Sequence, residues 1–283
     1  MSKVDLHIHS TASDGRFSPA DIVHQAIEQG LSVIAITDHD SVDGIASALI
    51  AAKSFPELKV IPGIELSTDV PQGEIHVLGY FIDYTDPEFQ TTLDGLHNSR
   101  LHRAKGMVAK LKNLGVHIDW GRVQEIAGAG SIGRPHIAQA MLENGYISSM
   151  KEAFTKYISR DGPAYVEREK MTPVEAVEII LKFNGLPVLA HPFTTSNPEI
   201  MIVELKAAGL IGIEVYYNSY AADEINELIS FADRYGLIAT GGSDYHGLEA
   251  ANETMLGGVD VPIESVEQLI ALAKQRALKP AGL

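Results

Sequence analysis

The first residues follow a period of two: Val4, Leu6 and Ile8 alternate with Asp5, His7 and His9. This predicts a short strand that carries both imidazoles on one face near its C-terminal end. Ser18-Pro19-Ala20-Asp21 reads as a helix start, with Ser as N-cap, Pro at the first helical position and an early acid, and Gly30 ends that helix. Val33 to Ile36 is an apolar run of the kind buried on both faces of a parallel sheet, and through Thr37 it delivers Asp38-His39-Asp40. The pattern then predicts a helix over 43–53 and strands over 59–65 and 74–81, with Glu65 and His76 beside strand ends.

From about residue 98 to 170 the spacing becomes helical over 100–114, 120–127, 134–144 and 150–158, separated by glycines and without a convincing strand. The β/α rhythm returns with a helix capped by Thr172-Pro173-Val174-Glu175, then strands over 187–191, 211–215 and 237–240 and a closing amphipathic helix over 263–276. Seven strands, mostly separated by helices and each delivering polar residues at its C-terminal end, predict an α/β barrel with its site on one rim. The expected division is a barrel of residues 1–96 and 172–283, interrupted by a small all-helical insertion of residues 97–171.

Composition narrows the chemistry. With 283 residues, 45% hydrophobic and 21% charged, the chain can bury one large core. No apolar run approaches the roughly 18 residues that span a bilayer, so no membrane association is expected and the cytoplasm is the expected compartment. Twenty-two basic residues against 37 acidic ones give a net charge of −15, which argues against duplex DNA as a partner. The chain has no cysteine, so a metal would be held by imidazole and carboxylate, which favours manganese, iron or zinc.

The candidate donors are His7, His9, Asp14, His39, Glu65, His76, His191, Asp244 and His246. Six chain segments contribute them, and they include six of the eleven histidines. A single pair such as His7 and His9 is as easily a packing or capping feature; nine N/O donors at successive strand ends point to metal. His24, His97, His102 and His117 fall in helical or linking segments and read as solvated or packed.

The segments DLHIHSTASDG, ITDHD, PGIEL, EIHVLGY, LAHP and GSDYHG resemble the motifs of the PHP (polymerase and histidinol phosphatase) family of metal-dependent phosphoesterases, in order and at intact spacing. The helical insertion is similar to that of the branch containing 3′,5′-nucleoside bisphosphate phosphatases and a 5′-to-3′ exoribonuclease of short RNAs. The resemblance implies a distorted (β/α)7 barrel, a hydrolase acting on phosphate esters, and two to three divalent ions. His7, His9, Glu65 and Asp244 would hold the first ion; Glu65, as a bridge, would hold the second with His76 and His191; Asp14, His39 and His246 would hold the third. Some members have histidine at the position of Asp14, and an oxygen donor there favours a harder ion such as Mn²⁺. Asp38 and Asp40 are expected to support the imidazoles. His191, His246 and Glu65 form the expected catalytic set, with either histidine, or water at the metals, a candidate proton source for the leaving oxygen.

The segment Ser131-Ile132-Gly133-Arg134-Pro135-His136 runs from a loop into a helix start, where free amides, a guanidinium and an imidazole can receive an anion. In the related branch this segment lies over the metal cleft and binds the substrate's second phosphate, which implies that Arg134 and His136 bind substrate. Arg100 and Arg103, one turn apart, are weaker candidates that could equally solvate a helix face. The expected substrate is a small phosphorylated nucleotide, chiefly a 3′,5′-nucleoside bisphosphate, or a short 5′-phosphorylated RNA. The alternatives are a histidinol-phosphate-type or other small-metabolite phosphatase, which would want acidic groups near Arg134, and a non-catalytic metal-binding module.

Overall fold

The computed structural model describes residues 3–70, 73–128, 130–167, 171–248 and 254–276. Seven strands form one sheet in chain order: β1 (Val4–Asp5), β2 (Val33–Ile36), β3 (Lys59–Val70), β4 (Gly73–Tyr80), β5 (Leu186–Leu189), β6 (Gly212–Tyr217) and β7 (Ile238–Gly242). Neighbours pair in parallel except around β4, which runs antiparallel to both β3 and β5. The sheet curls until its ends meet: Leu6 N–H donates to the Gly241 carbonyl (3.3 Å) and Ile8 bridges Tyr245 in parallel. The result is a nearly closed, distorted barrel. Tyr80 spans its interior from β4 to donate to the Leu6 carbonyl at 3.0 Å.

Local chemistry sets the helices on the barrel's outside. Helix α1 (Pro19–Glu28) has Ser18 accepting from the Asp21 amide, and Gly30 beyond its end takes a φ of 73° that only glycine adopts cheaply. Helix α2 (Asp43–Ala52) follows β2.

Between β4 and β5 lie α3 (Pro87–Asn113), α4 (Trp120–Ala127), α5 (Arg134–Glu143) and α6 (Met150–Ala153), which runs on into one π-helical turn to Ile158. Leu111, Val123, Ile137, Met141 and Ile158 bury one another in a cluster of their own. Residue 97 falls inside α3, whose Phe89 and Leu93 pack into the barrel's cluster while its Met107 and Leu111 pack into the insertion's.

Helix α7 (Pro173–Lys182) opens with the predicted capping box of Thr172 and Glu175. The chain then forms α8 (Pro198–Ala208), α9 (Ala222–Tyr235) and α10 (Ile263–Gln275), the last burying Val266, Leu269 and Ala273 against the barrel's interior cluster. Among the described residues no helix is long and apolar enough to cross a membrane.

Two expectations change. β1 is two residues long, and beyond it residues 4–10 are all buried, because the closing β7 covers what an edge strand would leave open. Glu65 and His76 lie within strands rather than beside strand ends. β3 and β4 pair with each other from Gly63↔Tyr80 to Val70↔Gly73, so the hairpin continues past the point where the parallel strands stop.

Candidate metal centre

Close backbone packing sets the positions of the first two histidines. A Cβ on Gly242 would lie 2.5 Å from both the Cβ and the backbone nitrogen of His7, so only glycine lets β7 close against that residue. Asp5 ties the two ends of the sheet by accepting from the Ser243 amide (2.9 Å), the Ser243 hydroxyl (2.6 Å) and the Gly257 amide (2.8 Å). Asp38 accepts from the Ser10 amide and hydroxyl (both 2.7 Å) and the Ser13 hydroxyl (2.6 Å), and so fixes the loop between His9 and Asp14. Its hydrogen bonds go to this loop rather than to an imidazole ring, so it positions His9 and Asp14 through the backbone between them.

All nine candidate donors are brought together. His7 Nε2 and His9 Nε2 stand 3.3 and 3.2 Å from Glu65 Oε2, and 3.4 and 3.1 Å from Asp244 Oδ1. On the other oxygen of Glu65, His76 Nδ1 lies at 2.9 Å and His191 Nε2 at 3.2 Å. His246 Nε2 is 3.4 Å from Asp14 Oδ1 and His39 Nε2 is 3.9 Å from Asp14 Oδ2. The groups close enough to share an ion are His9, Asp14, His39 and His246; His7, His9 and Glu65; and His39, Glu65 and His76, so His9 and His39 each join two groups: His39 Nδ1 meets Glu65 Oε2 at 2.9 Å, and His9 Nδ1 lies 3.9 Å from Asp14.

The spacings of His7 and His9 from Glu65 and Asp244 suit an ion. Two donors each about 2.1 Å from one cation and 90–109° apart sit about 3.0–3.4 Å from one another. Hydrogen-bond alignment is missing as well: His7 Nε2, both nitrogens of His9, Asp14 Oδ1, Glu65 Oε2 and His191 Nδ1 are buried without a hydrogen-bond partner. Buried polar atoms are rarely left so, and divalent cations would satisfy His7 Nε2, one nitrogen of His9, Asp14 Oδ1 and Glu65 Oε2. Tautomers agree. The carbonyl of Asp244 can only accept, so His246 Nδ1 donates to it at 2.9 Å and presents a Nε2 lone pair; His7 Nδ1 donates to Glu214 Oε1 at 2.9 Å with the same consequence.

Charge balance in the cluster is severe. Burial works against ionised His9, yet hydrogen-bonding Asp244 and Glu65 raise it to about 10, while burial prevails at His39 and lowers it to about 4. Burial also opposes the ionised forms of Glu65, Asp14 and Asp244, but the surrounding imidazoles hold all three well below the usual carboxylate range. His191 and Asp244 take φ of 28° and 53°, a backbone region that costs non-glycine residues on the order of 1–3 kcal/mol and collects at functional sites.

Glu214 escaped the sequence reading. Fully buried on β6, it accepts from His7 Nδ1 and, at 2.8 Å, from the His191 amide, and so orients two candidate donors from one carboxylate. Its only sequence signal is an acid inside the apolar run 211–215. Tyr217 donates to Asp244 Oδ2 at 2.8 Å.

Beside the donors lies a cavity of about 220 Å³, lined by Asp14, His39, His76 and His246 from the barrel and by Arg100, Arg103 and Arg134 from the insertion. Arg100 and Arg103 are buried against the rim rather than spread over a solvated helix face. Arg100 donates to Asp40 Oδ2 and to Ser67 Oγ, both at 2.6 Å, so Asp40 holds a guanidinium. Arg103 donates to Glu74 Oε1 at 3.1 Å, and Arg134 pairs with the other oxygen of the same carboxylate. His136 Nδ1 accepts from the Gly133 amide at 2.9 Å, which leaves the proton on Nε2, and the ring lines a neighbouring crevice with Asp14 and Arg16.

The PHP domain family matches residues 5–163. A 3′,5′-nucleoside bisphosphate phosphatase of Chromobacterium violaceum is 32% identical over 87% of this chain and 88% of its own length. A 5′-3′ exoribonuclease of Haemophilus influenzae is 34% identical over 86% and 90%. A solved structure from Bifidobacterium adolescentis, inferred to be a metal-dependent phosphoesterase, superposes with a TM-score of 0.86 at 28% identity, covering 95% of each chain. With the motif residues gathered on one barrel rim, the chain belongs to the PHP domain family and is a metal-dependent phosphoesterase, a hydrolase of phosphate esters.

Proposed function

We propose that this enzyme hydrolyses small nucleotides carrying phosphates at both the 3′ and 5′ positions, with short 5′-phosphorylated RNA as a related substrate. The observation that carries the reading is the junction of the donor cluster, through Asp14, His39, His76 and His246, with a cavity that Arg100, Arg103 and Arg134 also line. His7, His9, Glu65 and Asp244 would hold one divalent ion, Glu65, His76 and His191 a second, and Asp14, His39 and His246 a third, drawn from manganese, iron or zinc. When bound, such ions supply Lewis acidity that neutralises a phosphoester and activates water.

The remaining work falls to the chain. Residues 97–171 act as a substrate cap, because α3 and α5 bring the three guanidinium groups over the rim. Arg134, with Arg100 and Arg103 beside it, holds the distal phosphate and so positions the ester for in-line attack. Glu74 is the acid that a substrate with a cationic tail would use, but it already serves two guanidinium groups, and three arginines against Glu74 and Asp40 leave an anion site. His136 acts on α5, holding Gly133 with one nitrogen and keeping a donor on the other. His246, with its proton on Nδ1 directed at a carbonyl, is unsuited to protonate the leaving oxygen, which leaves His191 or water at the ions for that role.

A phosphate-release screen tests the reading: 3′,5′-bisphosphates, mononucleotides, short RNA and amino-alcohol phosphates, each with Mn²⁺ supplied. The bisphosphates should give the highest kcat/KM. Preference for the amino-alcohol phosphates would overturn the substrate assignment.

A further inference from the structure

The charge of this protein is divided. Residues 97–171 carry 12 Lys and Arg against 7 Asp and Glu, while the rest of the chain carries 10 against 30. A locally basic segment on an acidic protein needs a reason, and the arginines over the metal cleft account for only three of the twelve. Lys105 and Lys112 are separate from them. They lie seven residues apart on α3, hence on one face, and that face is turned about 140° from Arg100 at 100° per residue.

Between that face and the start of α4 runs a groove of about 590 Å³ lined by Lys105, Lys112, His117, Asp119 and Trp120. Asp119 is committed to helix capping, where its carboxylate accepts from the Arg122 amide at 3.0 Å. Lys110 is committed too, donating to the Tyr165 carbonyl at 2.5 Å. Lys105 and Lys112 are exposed and have no acidic partner among the described residues. The Lys105 ammonium instead stands over the Trp120 ring, 5.7 Å from its centroid. A half-buried tryptophan flanked by uncommitted cations is the composition of single-strand nucleic-acid sites, where an aromatic face stacks a base and the cations follow the phosphates.

We propose that this groove is an exosite for single-stranded RNA: a base stacks on Trp120, displacing Lys105 from the ring onto a phosphate, and Lys112 takes the next. The biological sense of the site rests on the nucleotide phosphoesterase reading above, though the binding itself does not. From Arg100 to Lys112 is about 18 Å along the helix, so the groove serves strands longer than a mononucleotide and leaves nucleoside bisphosphates to the cleft.

Trp120 is the chain's single tryptophan, so its emission reports the site directly. The metal-loaded full chain would be titrated with a 5′-phosphorylated phosphorothioate RNA octamer and, separately, with a nucleoside 3′,5′-bisphosphate. The octamer should change the emission and the bisphosphate should not. Lys105→Gln/Lys112→Gln should weaken octamer binding about tenfold and reduce the slope of log affinity against log salt by about 1.4, at roughly 0.7 per phosphate contact on a single strand. Trp120→Leu, followed by competition, should weaken it at least about fivefold. All variants should hydrolyse nucleoside bisphosphate within twofold of the parent rate.

An unchanged salt slope, octamer binding without an emission change, or equal losses on the bisphosphate would each overturn the exosite. So would an acidic peptide that changes the emission as strongly as RNA, because the groove would then serve a protein. If the parent chain hydrolyses neither bisphosphate nor RNA while the emission and slope behave as stated, the substrate reading falls and the exosite stands.

Discussion

Arg134→Ala separates the two halves of the functional proposal. The guanidinium stands at the first turn of α5, paired with Glu74 and 5.5 Å from the Phe154 ring. Its removal deletes one charge-assisted contact to a distal phosphate, which costs about 1.5–3 kcal/mol. It also removes one of the guanidinium charges that balance Glu74, which stays paired with Arg103, and so leaves the anion site more negative. Both effects have the same sign, so kcat/KM on a 3′,5′-bisphosphate should fall roughly tenfold to more than a hundredfold. A matched 3′-monophosphate has no second anion to place and should lose little. Adding Glu74→Gln to Arg134→Ala should recover part of the loss on the bisphosphate by removing a negative charge beside the anion site. Steady-state phosphate release on the two substrates decides the matter: equal losses would show that Arg134 acts on the donor cluster or on folding, and the two-phosphate reading would have to be given up.

Further outcomes follow from the same geometry. Glu65→Ala should cost more than one ion per chain by elemental analysis, since both of its oxygens meet imidazoles; loss of one ion or none would refute the bridging role. Glu214→Gln should lower metal affinity about 10- to 100-fold by weakening its hold on His7, and an unchanged metal titration would remove Glu214 from the site. Gly242→Ala should destabilise the fold by about 1–3 kcal/mol, read as a lower Tm, because the new Cβ falls 2.5 Å from His7; a parental Tm would contradict the packing. Chelation should abolish turnover and lower Tm, with both restored by Mn²⁺, because the cation that satisfies the buried donors of His7, His9 and Glu65 is withdrawn; a Tm indifferent to metal would argue against those donors forming one site.

What was legible from the sequence was local. Ser18, Thr172 and their following acids announce helix starts within four residues, and a run such as Val33–Ile36 followed by Asp-His-Asp announces a buried strand delivering polar groups to a rim. The direction of β4 was not legible, because side-chain alternation is the same whether a strand runs parallel or antiparallel. Glu214 was hidden for a different reason: its partner His7 is 207 residues away, and a lone acid in an apolar strand carries no spacing signal. Arg100 and Arg103 sit on a helix of polar composition, and their burial comes from the rim of the barrel and not from any periodicity of α3.

Helix α3 has a mechanical consequence. Its 27 residues begin in the barrel's hydrophobic cluster and end in the insertion's, without a loop at residue 97 to act as a joint. Arg100 and Arg103 are therefore carried on a beam anchored at both ends, and their distance from the donor cluster is set by helix pitch rather than by a swinging lid. For anyone grafting this insertion onto another barrel, the place to cut is ahead of Pro87, where Asp86 caps the helix; a junction at 97 would break the beam.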